Sequence, residues 1–326
     1  MMNILHRSAA PHIHSGTGTS NIMLDVVIAL VPATVAAVIL FGLKALYLVL
    51  VCVIAAVASE FVFNLCSKRK QTVGDFSAVV TGLLLALNLS TAVELWQAAL
   101  GSVFAIIVVK CFFGGLGKNI VNPAIAARVF MLLTFGSVGM ATTTSPLFDL
   151  GFLKNAVPAP EIVSGATPLA ALNTGVEGLE SAPSLLQLAV GAHGGTIGET
   201  CAIALIIGFI YLVCRKVIKW YVPVSYVATV FVCYLVSGGF NFTYAASHVL
   251  AGGLLIGAIF MATDYVTTPT SGLGRVVFCV GAGLLTFVLR EFSSYPEGVS
   301  IAILTMNLLT PFISEWTQKR TLGGVK

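Results

Sequence analysis

Charged side chains are scarce in this sequence. Of its 326 residues, 9% are charged and 57% are hydrophobic, and the mean hydropathy is +0.99. Soluble domains carry roughly 25% charged residues, so this chain cannot cover a surface that faces water. The composition excludes a soluble globular protein and indicates an integral membrane protein. The net charge of +4 therefore reports on membrane topology, and no nucleic-acid partner is expected.

Paired cysteines and a secretory signal are also absent. The seven cysteines are scattered without any Cys-x-x-Cys, which argues against a disulfide framework or an iron–sulfur site. The N-terminal segment lacks the apolar core of a cleavable signal. His6, His12 and His14 suggest a metal site, but a His-x-His in a Ser/Gly/Thr-rich tail is usually solvated, and no metal is expected.

Ten apolar stretches are near the length that spans the hydrocarbon core of a bilayer. They cover about residues 22–42, 45–64, 76–90, 95–113, 121–140, 199–214, 220–237, 246–263, 274–290 and 299–314. We therefore predict an all-α membrane protein of about ten transmembrane helices.

The stretches divide into two halves, 22–140 and 199–314, around a polar connection. An odd number of spans in each half makes any internal repeat an inverted one, with sites formed near the midplane by broken helices. The segment "TGLLLALNLSTA" from Thr81 resembles "GGLLIGAIFMAT" from Gly252. We expect two inverted five-helix repeats.

Lysine and arginine predict the orientation, because cytoplasmic loops collect them. With the N-terminus inside, thirteen of these residues fall on the inner side and three on the outer side. We predict a protein of the cytoplasmic (inner) membrane with cytoplasmic tails at residues 1–21 and 315–326. The long connection, residues 141–198, then becomes an extracytoplasmic loop.

The connection contains a small polar motif, Ser164-Gly165-Ala166-Thr167-Pro168. A residue before proline is pushed into extended conformations, so Thr167 can present its hydroxyl outward. Gly165 and Ala166 add no bulk beside it. The motif favours a modification site, and the alternative is a surface turn in which Ser164 and Thr167 bond to nearby backbone.

Five ordered motifs resemble a known family almost from end to end. They are "APHIHSGTGTSNIMLDVVIALVPA" from Ala10, "NIVNPAIAARVF" from Asn119, "SGATPL" from Ser164, "GTIGETC" from Gly195 and "GAIFMATDYVTTPTSGLGR" from Gly257. The chain resembles the family of the RnfD subunit of the Rnf electron-transport complex and the NqrB subunit of the sodium-translocating NADH:quinone oxidoreductase. Its length and short tail favour the RnfD type over the NqrB type.

In that family the last residue of the Ser/Thr-Gly-Ala-Thr motif carries FMN through a phosphoester, which a separate flavin transferase installs. The resemblance implies that Thr167 is the attachment residue and that Ser164, Gly165, Ala166 and Pro168 form its recognition motif. It also allows a second, noncovalent flavin, either FMN or riboflavin, which no residue of the sequence identifies.

The resemblance further implies a membrane electron-carrier subunit of an Rnf-type complex. Such a complex couples electron transfer between ferredoxin and NAD to Na⁺ or H⁺ translocation. This chain has no nicotinamide fingerprint and no cysteine cluster, so other subunits of the complex must supply those steps. We expect an oxidoreductase subunit that is inactive alone and has no catalytic residue of its own. Glu161 stands where relatives commonly have aspartate, a departure that bears on the transferase.

Thr196 and Glu199 have the spacing of a capping box at the start of the sixth span. Such a helix end, preceded by glycines, also suits an anion such as a flavin phosphate. Both interpretations stay open. Arg128, within the fifth span, either steadies the negative charge of a flavin or serves as a snorkelling or helix-pairing arginine.

Three carboxylates near span ends are candidates for an ion path, because ionisable groups are costly in a bilayer. Asp264 is the strongest, since "ATDYVTTP" indicates the broken end of a helix, and Asn122-Pro123 indicates the corresponding break in the first half. Asp25 and Glu60 are the others. Each alone also fits an interfacial carboxylate that reaches water.

Two interpretations from other classes compete with the electron carrier. A transporter or channel without a redox centre shares the inverted-repeat arrangement and the broken helices. A scaffold subunit that anchors redox partners is the second. Only the outer loop with Thr167 separates the electron carrier from the transporter.

Overall fold

The computed structural model describes residues 18–140, 168–173, 175–179, 182–293 and 298–318. Most of the predicted loop, including Glu161, Ser164, Gly165, Ala166 and Thr167, lies outside these ranges, as does most of the N-terminal tail.

Thirteen α-helices form within the described residues. They are α1 (Thr19–Phe41), α2 (Leu43–Cys66), α3 (Ser77–Leu87), α4 (Leu95–Phe104), α5 (Pro123–Met140), α6 (Pro168–Leu172), α7 (Leu185–Val190), α8 (Ala202–Cys214), α9 (Tyr221–Ser237), α10 (Phe242–Leu250), α11 (Leu254–Ile256), α12 (Gly272–Phe292) and α13 (Val299–Thr317). Two π-helical stretches continue helices: Ala105–Cys111 follows α4, and Gly257–Met261 follows α11.

Four of these helices, α1, α2, α12 and α13, are long and apolar enough to cross a membrane. The bent pair Phe242–Leu250 and Leu254–Met261, with 68° between its parts, would be a fifth span. The other five predicted spans fall on shorter apolar helices, namely α3, α4 with its π-helix, α5, α8 and α9. The all-α membrane fold is confirmed, whereas ten complete crossings stay a prediction for the short helices.

Small residues let the helices cross closely. A Cβ atom added to Gly208 of α8 would lie 2.4 Å from the Ala29 carbonyl oxygen of α1. One added to Gly82 of α3 would lie 2.8 Å from the Cys52 carbonyl oxygen of α2. Lipid tails are as apolar as the helix surfaces, so the hydrophobic effect does not drive helix association in a bilayer. Close backbone packing of this kind stabilises the helix contacts instead.

Equivalent contacts recur in the two halves. In the first half, α2 packs on α3 and α4, and in the second half α9 packs on Gly257–Met261 and α12. Between the halves, α1 packs on α8 and α5 packs on α13. This pairing is compatible with the predicted repeat, and its inversion stays a prediction.

One of the two predicted helix breaks is wrong in position. Asn122 does not interrupt a helix, because α5 begins at Pro123 and the Asn122 side chain caps it, accepting from Ala124 N–H at 3.0 Å. In the second half the bend lies at Ala251–Gly253, between α10 and α11. Asp264 follows the end of this bent pair at Met261, which agrees with the predicted helix end.

Candidate functional site

Three segments converge where α3 ends. With 11 residues, α3 rises only about 16 Å, roughly half the hydrocarbon thickness. Its last carbonyls are capped by the loop before α8: Gly198 N–H donates to Leu87 O at 2.7 Å, and Ile197 N–H donates to Leu89 O at 2.9 Å. We call this region the central junction: the end of α3, the loop 191–201 and the α10–α11 bend.

Two candidate site residues from different halves of the chain, Arg128 and Glu199, lie close together at the central junction. Both are buried, and Arg128 Nη1 donates to Asn88 Oδ1 at 2.8 Å. Arg128 Nη1 and Glu199 Oε2 each lie 3.4 Å from the Cβ position of Gly253 in the bend. Arg128 therefore points into the protein interior, which excludes the snorkelling interpretation.

The predicted capping box is only half formed. Glu199 Oε1 accepts from the Thr196 N–H at 3.0 Å, as expected, but Thr196 Oγ1 has no hydrogen-bond partner among the described residues. The helix begins later than predicted, since α8 starts at Ala202 with Cys201 as its N-cap residue. The turn at Thr196–Glu199 instead closes against the end of α3.

Several polar atoms of the loop are buried without a partner. Within the part of the chain that the structure describes, Thr196 Oγ1, Thr200 Oγ1, Glu199 Oε2 and His193 Nε2 make no hydrogen bond. Burial lowers the pKa of His193 below its ordinary value. Orphaned buried polar atoms are rare in folded proteins, and a cluster of them marks a place where a polar group or water binds.

The chain that follows Thr167 packs on the same junction. Pro168 and Leu169 are buried at the start of α6, and Leu169 Cδ2 lies 3.6 Å from the Cβ position of Gly252. Arg290 Nη2 lies 3.2 Å from that position, and the Asn173 amide donates to Arg290 O at 3.2 Å. Pro168 is thus placed at the bend.

Arg290 and His248 are functional candidates that the sequence reasoning missed. Arg290 is fully buried and donates to His248 O at 2.6 Å and Ala251 O at 3.2 Å, so it holds the bend. The His248 ring stacks on Tyr234 at 3.6 Å between centroids. Neither ring nitrogen of His248 has a partner among the described residues.

Asp264 lies in the turn after Gly257–Met261, near the end of α8 that is farther from the loop 191–201. Its Oδ1 accepts from Val266 N–H at 3.3 Å, and its Oδ2 accepts from Thr267 Oγ1 at 3.1 Å. The residue also lines a cavity that Asn122 and Lys110 share. The sequence prediction that Asp264 borders a polar path is compatible with this position.

Asp25 is largely buried in α1 and lines a cavity together with Arg215. It accepts from the Tyr211 hydroxyl at 2.9 Å and from Arg215 Nε at 3.2 Å. Ile22 and Tyr265 border both the Asp25 cavity and the Asp264 cavity. The structure brings these two carboxylates to neighbouring cavities.

Glu60 is the clearest correction to the interfacial interpretation. It is 1% exposed and forms an ion pair with Lys110, whose Nζ lies 2.9 Å from Glu60 Oε2. Thr72 Oγ1 donates to Glu60 Oε1 at 2.5 Å, and Lys110 donates to Ser77 Oγ at 2.6 Å. Lys110, which lies within the predicted span 95–113, is a buried cation on the π-helical stretch Ala105–Cys111.

Comparison with known proteins identifies the family. The NQR2, RnfD, RnfE family model matches residues 6–323. The chain belongs to the NQR2, RnfD, RnfE family. This assignment agrees with the resemblance carried by the five motifs, and it covers both halves and the loop between them.

Named relatives align over nearly the whole chain, and each is a subunit of an ion-translocating oxidoreductase complex. A subunit of the Na(+)-translocating ferredoxin:NAD(+) oxidoreductase complex of Acetobacterium woodii is 43% identical, covering 98% of this chain and 95% of its own. A subunit of the proton-translocating ferredoxin:NAD(+) oxidoreductase complex of Clostridium ljungdahlii is 37% identical, covering 98% and 97%. A subunit of the ion-translocating oxidoreductase complex of Halorhodospira halophila is 34% identical, covering 98% and 95%.

The named relatives differ in the ion that they are said to move. One name gives sodium and another gives protons, although both chains align over 98% of this one. The family therefore does not fix the ion that its complexes move.

Proposed function

We propose that this chain is the membrane electron-carrier subunit of an Rnf-type complex and that it carries FMN covalently on Thr167. The complex would couple electron transfer between ferredoxin and NAD to translocation of Na⁺ or H⁺. Other Rnf-type subunits and a flavin transferase are the partners that this proposal requires. The names of the aligned relatives support membership of such a complex.

One observation carries the flavin part of the proposal. The peptide that begins with Pro168, immediately after Thr167, is buried against the α10–α11 bend, beside Arg290. Consecutive Cα atoms are about 3.8 Å apart, and we propose on this basis that a group attached to the residue before Pro168 is tethered near the central junction. A tether keeps the local concentration of the cofactor high whatever the bulk supply.

The polar groups at the central junction fit FMN. Arg128 supplies a guanidinium. The Thr196 and Thr200 hydroxyls are buried without partners among the described residues, so they can donate hydrogen bonds to a phosphate. Glu199 Oε2 is a buried acceptor of the kind that a ribityl hydroxyl or a ring N–H needs. When bound, a flavin accepts and passes electrons singly or in pairs, while these residues bind and orient it.

We propose that the cavity that Asp264 borders supplies polar groups to a second, noncovalent flavin, and its volume of about 80 Å³ must widen to admit the ring. Asn119 and Asn122 line this cavity, and Asn119 Oδ1 is buried without a partner among the described residues. Amide groups match the alternating donors and acceptors of a flavin ring edge. The FMN or riboflavin that the family resemblance allows is proposed to bind here.

Topology completes the proposal. We propose cytoplasmic termini in the inner membrane and an extracytoplasmic loop at residues 141–198, so that Thr167 and the Asp264 cavity lie toward opposite sides. The thirteen-to-three distribution of basic residues supports this orientation.

Peptide mapping tests the attachment. Native membranes should yield a peptide covering residues 155–175 that is heavier by FMN less one water, and denatured wild-type protein should show in-gel flavin fluorescence. Thr167→Ala should abolish both signals. Ser164→Ala, four residues before Pro168, leaves the attachment hydroxyl in place and should retain both signals in part. An unmodified Thr167 in the assembled complex would favour the non-redox transporter instead.

A scaffold is distinguished by activity. If this chain only anchors its partners, Thr167→Ala should leave electron transfer by the complex unchanged. We expect electron transfer to be lost while the complex still assembles.

A further inference from the structure

Basic side chains surround two adjoining cavities at the ends of α8, α9 and α12. Arg215 and Lys216 line the first cavity, and Lys216, Lys219 and Arg275 line the second. Lys216 and Tyr265 border both, so the two cavities adjoin each other. We call the pair the basic groove.

The groove has more positive than negative charge. Asp25 is the one acidic residue among the described residues that line it, and its carboxylate is bound by Arg215 at 3.2 Å. Lys216, Lys219 and Arg275 form no ion pair with the described residues. Arg275 Nε donates to the neutral Pro269 carbonyl at 3.1 Å, which orients its guanidinium without neutralising it.

Exposed apolar side chains adjoin the basic groove. Trp220 is 61% exposed, Leu273 is 65% exposed and Val224 is 43% exposed. Tryptophan at the end of a transmembrane helix is typical of the level of the lipid headgroups. Cationic side chains at that level, with apolar surface next to them toward the bilayer core, match the two ends of a phospholipid.

We propose that the basic groove binds the headgroup of an anionic phospholipid, with its acyl chains against Trp220, Val224 and Leu273. Basic pockets between transmembrane helices attract such lipids, since each lysine or arginine near the surface favours an anionic headgroup. The lipid phosphate bridges the α8–α9 turn and the start of α12, two segments that are separate in sequence. This site is independent of the flavin on Thr167.

Lipid titration of the assembled complex tests the site. Delipidated complex receives dioleoylphosphatidylglycerol, and native mass spectrometry counts the bound lipid. The variant Lys216→Gln/Lys219→Gln removes two charges without touching the Asp25–Arg215 pair, and should bind phosphatidylglycerol roughly thirtyfold more weakly. The matched control Lys68→Gln/Lys70→Gln removes two exposed lysines of the α2–α3 connection and should bind like the wild type.

The charge-retaining variant Lys216→Arg/Lys219→Arg should restore binding, which separates lost charge from a misfolded turn. Three outcomes would overturn the proposal. Phosphatidylcholine could bind as tightly as phosphatidylglycerol, inorganic phosphate alone could saturate the groove, or a crosslinker at Lys216→Cys could capture a neighbouring subunit in its place. Loss of FMN in Thr167→Ala should change none of these lipid results.

Discussion

At the residue scale, the Glu60–Lys110 pair shows how a charge is kept inside a membrane bundle. Each side chain is 2% exposed, and each has a second hydrogen-bond partner, Thr72 for Glu60 and Ser77 for Lys110. Burying two ions is costly, and the cost is offset only when the remaining polar atoms are also satisfied. Lys110 lines the cavity that Asp264 borders, and Glu60 neutralises its charge there.

Removing one member of this pair should be strongly destabilising. Lys110→Met leaves Glu60 buried and unpaired, and we expect the free energy of unfolding to fall by about 3–5 kcal/mol. Reversible unfolding in mixed micelles measures the change. Lys118→Met, at an exposed lysine nearby, should cost less than about 0.5 kcal/mol. Equal stability of both variants would show that the pair is not formed.

A second prediction at this scale concerns Asp264. Its carboxylate borders a polar cavity, and its oxygens accept only from its own turn among the described residues, so it can share them with a cation. Asp264→Asn removes the negative charge, and coupled uptake into inverted vesicles should need a roughly tenfold higher ion concentration, equivalent to about 1.4 kcal/mol of lost binding. Glu94→Gln, an exposed carboxylate in the α3–α4 connection, is the control. Unchanged uptake at all ion concentrations would remove Asp264 from the path.

At the element scale, short and bent helices define the central junction. Two helices end or bend inside the bundle, α3 at Leu87 and α10 at Leu250, and their freed backbone groups are taken up by other segments. Gly198 N–H binds the Leu87 carbonyl, and the Arg290 guanidinium binds the carbonyl of Ala251. Irregular backbone at membrane depth is tolerated where protein covers it in this way.

The α1–α8 crossing gives a prediction for two whole helices. Gly208→Ala places a methyl group 2.4 Å from the Ala29 carbonyl oxygen, a backbone atom that cannot move aside without separating the helices. We expect a loss of about 1–3 kcal/mol or more in the free energy of unfolding. Gly74→Ala, where no atom lies within 4 Å of the added methyl group, should be nearly neutral. A wild-type melting curve for Gly208→Ala would disprove the close crossing.

At the scale of the whole molecule, the proposed function depends on the orientation of the chain across the membrane. A fluorescent protein fused after Lys326 should be fluorescent, and alkaline phosphatase fused there should be inactive. Phosphatase fused after Gly175 should be active, because the basic residues predict that this segment lies outside the cytoplasm. Active phosphatase after Lys326 would reverse the topology and place Thr167 in the cytoplasm.

Helices can be predicted from the sequence more accurately than helix ends, because hydropathy is summed over many residues whereas a helix end depends on a few. Hydropathy accumulates over a window, so each of the ten predicted spans coincides with a helix or a helix pair. Local signals are less exact: Asn122-Pro123 predicts a break, yet the same residues make a good N-cap and first turn. No proline lies at the Gly252–Gly253 bend, so the sequence has no proline signal that predicts it.

Side-chain partners are harder still to predict. The sequence gives no sign that Lys110 is paired with Glu60, because the π-helical stretch that carries Lys110 has no sequence signature of its own. Asn88 and Arg290 carry no recognisable pattern, since their partners are about 40 residues away in the chain.

The sequence by itself determined that this is an all-α membrane protein of the NQR2, RnfD, RnfE family, because composition, hydropathy and ordered motifs are properties of the chain alone. Only the tertiary structure decided that Arg128 and Glu199 meet at Gly253, that Pro168 is buried beside the bend, and that Glu60 pairs with Lys110. These contacts depend on how short helices cross and where they end. Such geometry is set by packing between distant segments, which no local pattern encodes.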